Sequence, residues 1–104
     1  DFIGFYTTNG TIRIACGKNA TAPGTGDTNA STGVSFADDT WVKLTFVVHG
    51  TEAVDFYVDG SHVGRITSGL PNDENLTLEV GCVGSGETVD IDYATVESER
   101  NWAV

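Results

Sequence analysis

Basic residues are scarce in this chain of 104 residues: five lysines and arginines stand against fifteen aspartates and glutamates, a formal net charge of −10. A surface of that sign repels a phosphate backbone, which argues against nucleic acid as a partner. Methionine is absent and cysteine occurs twice. Without a CxxC spacing or a neighbouring histidine, Cys16 and Cys82 do not make a zinc site. Both fall on the apolar side of their segments, in Ile12-x-Ile14-x-Cys16 and Leu76-x-Leu78-x-Val80-x-Cys82. There they read either as two buried thiols acting as small hydrophobes or as one disulfide closing a long loop, worth about 4 kcal/mol. No apolar run approaches the ~18 residues of a membrane span, and no leader peptide is visible. The chain opens at Asp1, directly in apolar Phe2-Ile3-Gly4-Phe5-Tyr6, which suggests a mature product or part of a longer chain. Helical periodicity is also missing at any useful length.

What is present is a strand pattern. Hydrophobic residues make up 39% of the chain and charged residues 19%, a globular profile. The length fits one domain, read as residues 1–98, with 99–104 as a C-terminal tail. Alternation of apolar and polar residues runs throughout, interrupted by glycine-rich turns. Phe2 to Thr8 and Thr11 to Cys16 are predicted strands joined by Asn9-Gly10. Gly17 to Ser31 reads as the longest loop and Gly33 to Phe36 as a short strand. Trp41 to His49 is the strongest strand, with Val42, Leu44, Phe46 and Val48 on one face. Val54, Phe56 and Val58 follow after Gly50-Thr51, and Asp59-Gly60 supplies the positive-φ residues of a type I′ hairpin.

That turn sets Val58 opposite Ser61, Tyr57 opposite His62 and Phe56 opposite Val63. The Tyr57–His62 pair then faces outward. A bulge at Gly64 would bring Ile66, rather than Arg65, inward opposite Val54. Leu76 to Cys82 and Thr88 to Val96 complete the set of predicted strands. About eight short strands with regular turns suggest an antiparallel β-sandwich.

Three runs carry a family resemblance: Asp39-Thr40-Trp41-Val42-Lys43-Leu44-Thr45-Phe46, Phe56-Tyr57-Val58-Asp59-Gly60 with a Leu70-Pro71 connection, and Val89-Asp90-Ile91-Asp92-Tyr93-Ala94-Thr95-Val96. In order and spacing they resemble the concanavalin A-like jelly-roll superfamily, which includes laminin-G-like lectin modules and laminarinase-type glucanases. The resemblance implies a jelly roll, and the short chain implies that it is reduced, truncated at the N-terminus or completed by a partner. It also implies that Trp41 fills the core. The overall pattern is similar to small modules of this type in tailed-phage virion proteins.

Glucanases of this superfamily use carboxylates spaced as Glu-x-Asp-x-x-Glu on one strand face, flanking the bond to be cut. Here Asp90 and Asp92 share a face, with Glu87 before them, but their run matches the closing strand and not the catalytic one. His49 and His62 lack a nucleophile elbow, and Gly24-Thr25-Gly26 and Gly84-Ser85-Gly86 lack the lysine of a phosphate loop. No catalytic residue is assigned. Laminin-G-like relatives often bind calcium through loop oxygens, so Asp38, Asp39, Asp73 and Glu74 are the weak metal candidates, and calcium the one cofactor considered. Tyr57 with His62 beside it is the candidate sugar-stacking platform, with Tyr6 second. Trp102, in the tail, is a candidate assembly contact. Asn9, Asn19, Asn29 and Asn75 begin Asn-x-Ser/Thr sequons that matter only in a eukaryotic secretory pathway.

These readings converge on a non-enzymatic accessory module of a virus particle, a capsid or tail decoration that assembles with other virion proteins or copies of itself, at the virion surface or outside the cell. The alternative is a lectin-like domain recognising a glycan, with calcium assisting.

Overall fold

The computed structural model describes residues 1–20, 22–72, 76–81 and 88–97. Among these the chain is all β, with two three-stranded antiparallel sheets and no helix. The first sheet holds β1 (Phe2–Thr8), β2 (Thr11–Gly17) and β3 (Thr28–Ser35) in that order. The second holds β4 (Leu44–His49), β5 (Ala53–Val58) and β6 (Ser61–Ile66).

Two hairpins set the register. Asn9 and Gly10 take φ of 51° and 73°, and Asp59 and Gly60 take 50° and 83°. Positive φ at both central residues twists the turn to match the right-handed twist of the flanking strands. The consequence is Thr8 opposite Thr11 in the first sheet, and Val58 opposite Ser61 with Tyr57 opposite His62 in the second.

Beyond His62 the register shifts by one residue. Phe56 faces Gly64, not Val63 as strict pairing predicts, so Val63 is the extra residue of a bulge. Ile66 therefore lies opposite Val54, as expected, and Arg65 lies opposite Asp55. The shift keeps an arginine out of the core.

The core forms where β2 and β3 lie against β6. Ile14 and Cys16 from β2 meet Val54 and Phe56 from β5, with Ile66 and Leu70, and Ile3, Phe5 and Val63 pack around them. Gly64 marks a close approach of the sheets, since a Cβ there would come within 2.7 Å of Ile14 Cδ1. Cys16 is a free, fully buried thiol whose pKa is pushed up to about 11, first by burial and then by the negative charge of Asp27. Cys82 lies outside the described residues.

Three expectations need correction. The third strand begins at Thr28 and not Gly33, because β2 offers partners back to Thr28, which shortens the loop. The Trp41 strand begins at Leu44, leaving Trp41 68% exposed rather than in the core. Its segment is tied instead to the hairpin turn: Asp59 N donates to Lys43 O, and Lys43 N donates to Asp59 Oδ1. Finally, residues 76–81 and 88–97 form no strand. Their alternation encodes one apolar face, but a strand also needs a paired edge. The predicted boundary between domain and tail, at residue 98, lies outside the described residues.

Candidate functional site

The outer face of the second sheet gathers the chain's histidines. Alternation turns Val54, Phe56 and Val58 into the core and leaves Asp55 and Tyr57 on the other side of β5. His62 stands across from Tyr57, and the bulge sets Arg65 across from Asp55. His49, at the end of β4, approaches from the opposite flank.

All three basic side chains meet one carboxylate. Arg65 Nε donates to Asp55 Oδ1 and Arg65 Nη2 to Oδ2, each at 2.8 Å. His49 Nε2 donates to Oδ2 and His62 Nε2 to Oδ1, each at 2.9 Å. An ionised carboxylate only accepts, so both imidazoles carry their proton on Nε2. The Asp55 side chain is 8% exposed, while those of its partners are about half exposed. The Arg65 and His62 hydrogen bonds, with a further one from His49, outweigh desolvation and hold the Asp55 carboxyl well below the usual carboxylate range. Asp55 in turn raises the Arg65 pKa.

A carboxylate offers about four lone-pair positions, and four donors fill them here. Asp55 therefore has no acceptor left for a substrate or metal. Its chemistry is to fix the orientation of His49, His62 and Arg65. Beside it, the half-buried Tyr57 ring meets the His62 ring edge-on at 5.4 Å.

Sequence reading found the Tyr57–His62 pair and missed Asp55, Arg65 and His49 as a cluster. The signal was available, because the same bulge that brings Ile66 inward also puts opposite charges face to face.

The remaining candidates fall elsewhere. Tyr6 is engaged on the first sheet, where its hydroxyl accepts from Arg13 Nε at 3.0 Å and Gly24 packs against its ring. Arg13 continues to Asn29 and Asp27, whose Oδ2 accepts from Gly24 N, so Tyr6 anchors the β2–β3 loop. Asp38 and Asp39 are exposed in a turn, with Asp39 at φ 55°. Asp73, Glu74, Glu87 and Trp102 lie outside the described residues. Among the described residues, no group of three or more His, Cys, Asp or Glu side chains is placed to hold a metal ion. Asp90 and Asp92 are exposed on a segment that forms no strand, so no sheet aligns them as a catalytic pair.

A laminin G family model, described as the concanavalin A-like lectin/glucanases superfamily, matches residues 2–90. The chain belongs to that superfamily. Comparison with the curated proteins and with the solved structures returns no match. Family membership accounts for the two facing antiparallel sheets of this lectin/glucanase-type domain. The superfamily's name covers both lectins and glucanases.

Proposed function

We propose that this lectin/glucanase-type domain is a non-catalytic accessory module that works by protein–protein assembly, with a virus particle as its setting. The saturated Asp55 cluster carries the reading. The Asp55 carboxylate is spent on orienting bonds to both histidines and Arg65, and a carboxylate so engaged is poorly placed to move a substrate proton. The same bonds hold His62 and Arg65 rigid next to Tyr57. Tyrosine and arginine are the side chains most often found as anchors at protein interfaces, and pre-ordering them lowers the entropic cost of contact. The partners are other particle proteins or further copies of this chain, outside the cell.

The test is association. Particles from a source that produces this chain are purified and probed for it by mass spectrometry, alongside the Arg65→Ala variant. The chain is expected to copurify and the variant to be depleted. A chain that stays monomeric and never enters a particle ends the assembly reading.

The half-buried Tyr57 ring on this outer face favours a second reading, glycan binding, because Tyr57 flanked by His62 suits stacking on a sugar ring. Glycan-array binding that is lost in Tyr57→Ala would move the assignment there. Loss on chelation as well would assign calcium a role.

A further inference from the structure

Fixing Arg65 on Asp55 leaves the far side of its guanidinium free. A guanidinium carries five N–H donors, and Asp55 takes two of them, one on Nε and one on Nη2. Nη1 donates to nothing among the described residues, so Nη1 and the second N–H of Nη2 make an end-on fork that is still unspent. The Arg65 side chain is 55% exposed. A fork of that shape matches the two oxygens of a carboxylate. An ordinary surface arginine gives back most of an ion pair's gain in ordering its long side chain. Asp55 has already ordered this one.

The two histidines bound to the same carboxylate frame the fork. Each spends its Nε2 proton on Asp55, which leaves Nδ1 of the neutral ring as a lone pair. A proton added at Nδ1 turns that acceptor into a donor and makes the ring a cation. Histidine is the side chain whose charge changes between about pH 5 and 8. At the neutral end of that range Asp55 and Arg65 cancel, and at the acidic end the face carries two positive charges in excess. The charged and titratable groups about the rings are Asp55 and Tyr57 of β5, Arg65 of β6, Glu52 and Asp59 in the turns at either end of β5, and Lys43 ahead of β4. Glu79, Asp90, Asp92 and Glu97 border the cleft that His49 also lines.

We propose that Arg65, framed by His49 and His62, is a receptor for a carboxylate side chain on an acidic segment of a partner protein, and that it grips more tightly as the pH falls and the two imidazoles are protonated. The proposal rests on the assembly reading of this domain and names the chemistry of the partner. One partner carboxylate takes the end-on fork of Arg65, and a neighbouring acid on the same segment meets a protonated Nδ1. Tyr57, edge-on to His62, offers an apolar wall to the stems of those side chains. Charge confines the contact to this face, because a surface with a net charge of −10 repels an acidic segment elsewhere. Arg13, the other described arginine, binds Tyr6 and Asn29 on the first sheet, away from both histidines.

Fluorescence anisotropy of a labelled oligo-glutamate peptide, titrated with the full chain at about pH 5.5 and about pH 7.5, tests the proposal on both sides of the histidine range. Binding is expected at both and several-fold tighter at the acidic one. Arg65→Lys keeps the charge and loses the fork, so it is expected to lose binding at both, whereas Arg13→Lys leaves binding unchanged. His49→Gln combined with His62→Gln is expected to keep the neutral-pH affinity and lose its pH dependence. In the wild type the peptide is expected to shift the Arg65 guanidinium and both imidazole NMR signals, a readout that stands even if a variant fails to fold. Absence of binding, equal binding at the two pH values, or binding that Arg65→Lys retains overturns the proposal. So does tighter capture of dextran sulfate than of oligo-glutamate, which would assign the face to sulfated glycans. A chain that ignores the peptide yet still enters particles overturns this proposal alone and leaves the assembly reading standing.

Discussion

Replacing Gly64 with alanine tests the close approach that joins the two sheets. Gly64 has ordinary backbone angles, so alanine meets no φ penalty and gains about 0.5–1 kcal/mol of reduced chain entropy and improved strand preference. Against that, the new Cβ stands 2.7 Å from Ile14 Cδ1. Ile14 is 1% exposed and packed in the core cluster, so its terminal methyl has little room to swing away. Overpacking of this kind costs about 1–3 kcal/mol. The net is a loss of up to roughly 2.5 kcal/mol, at about 4–8 °C in Tm per kcal/mol for a domain of this size. Ile14→Val removes the clashing methyl and alone costs about 0.5–1.5 kcal/mol. In urea denaturation the double variant should then be no less stable than Ile14→Val alone, a coupling of about 1 kcal/mol or more. Simple additivity of the two losses would refute the packing of β6 against β2.

Two further outcomes follow from the titrating groups. Asp55 has a depressed pKa in the folded state, so its stabilisation is complete above the unfolded carboxylate value near 4 and is lost as the pH falls below it. Asp55→Asn should be less stable than the wild type at pH 7, and urea midpoints of the two should converge as the pH approaches 2. A constant gap across that range would show that the ionised Asp55 carboxylate does not anchor the cluster. The Cys16 thiol, buried and raised to about 11, should react with a thiol reagent at pH 8 only as fast as the domain opens. Reaction at the rate of a free thiol would place Cys16 at the surface.

The sequence by itself determined the β class, the tight turn at Asn9-Gly10, the type I′ hairpin at Asp59-Gly60 and the outward Tyr57–His62 pair. All of these depend on φ preferences and alternation within a few neighbouring residues. The bulge was also legible, since strict register would have buried Arg65, although it falls at Val63 and not Gly64. Only the tertiary structure showed that the register shift delivers Arg65 to Asp55 and that His49 and His62 close on the same carboxylate. A cluster drawn from three strands is visible in a sequence only after the cross-strand pairs are known. The tertiary structure likewise decided the fate of Trp41 and of residues 76–81 and 88–97. Their alternation says which face would be buried, but burial requires a free edge to receive it, and that edge belongs to another part of the chain.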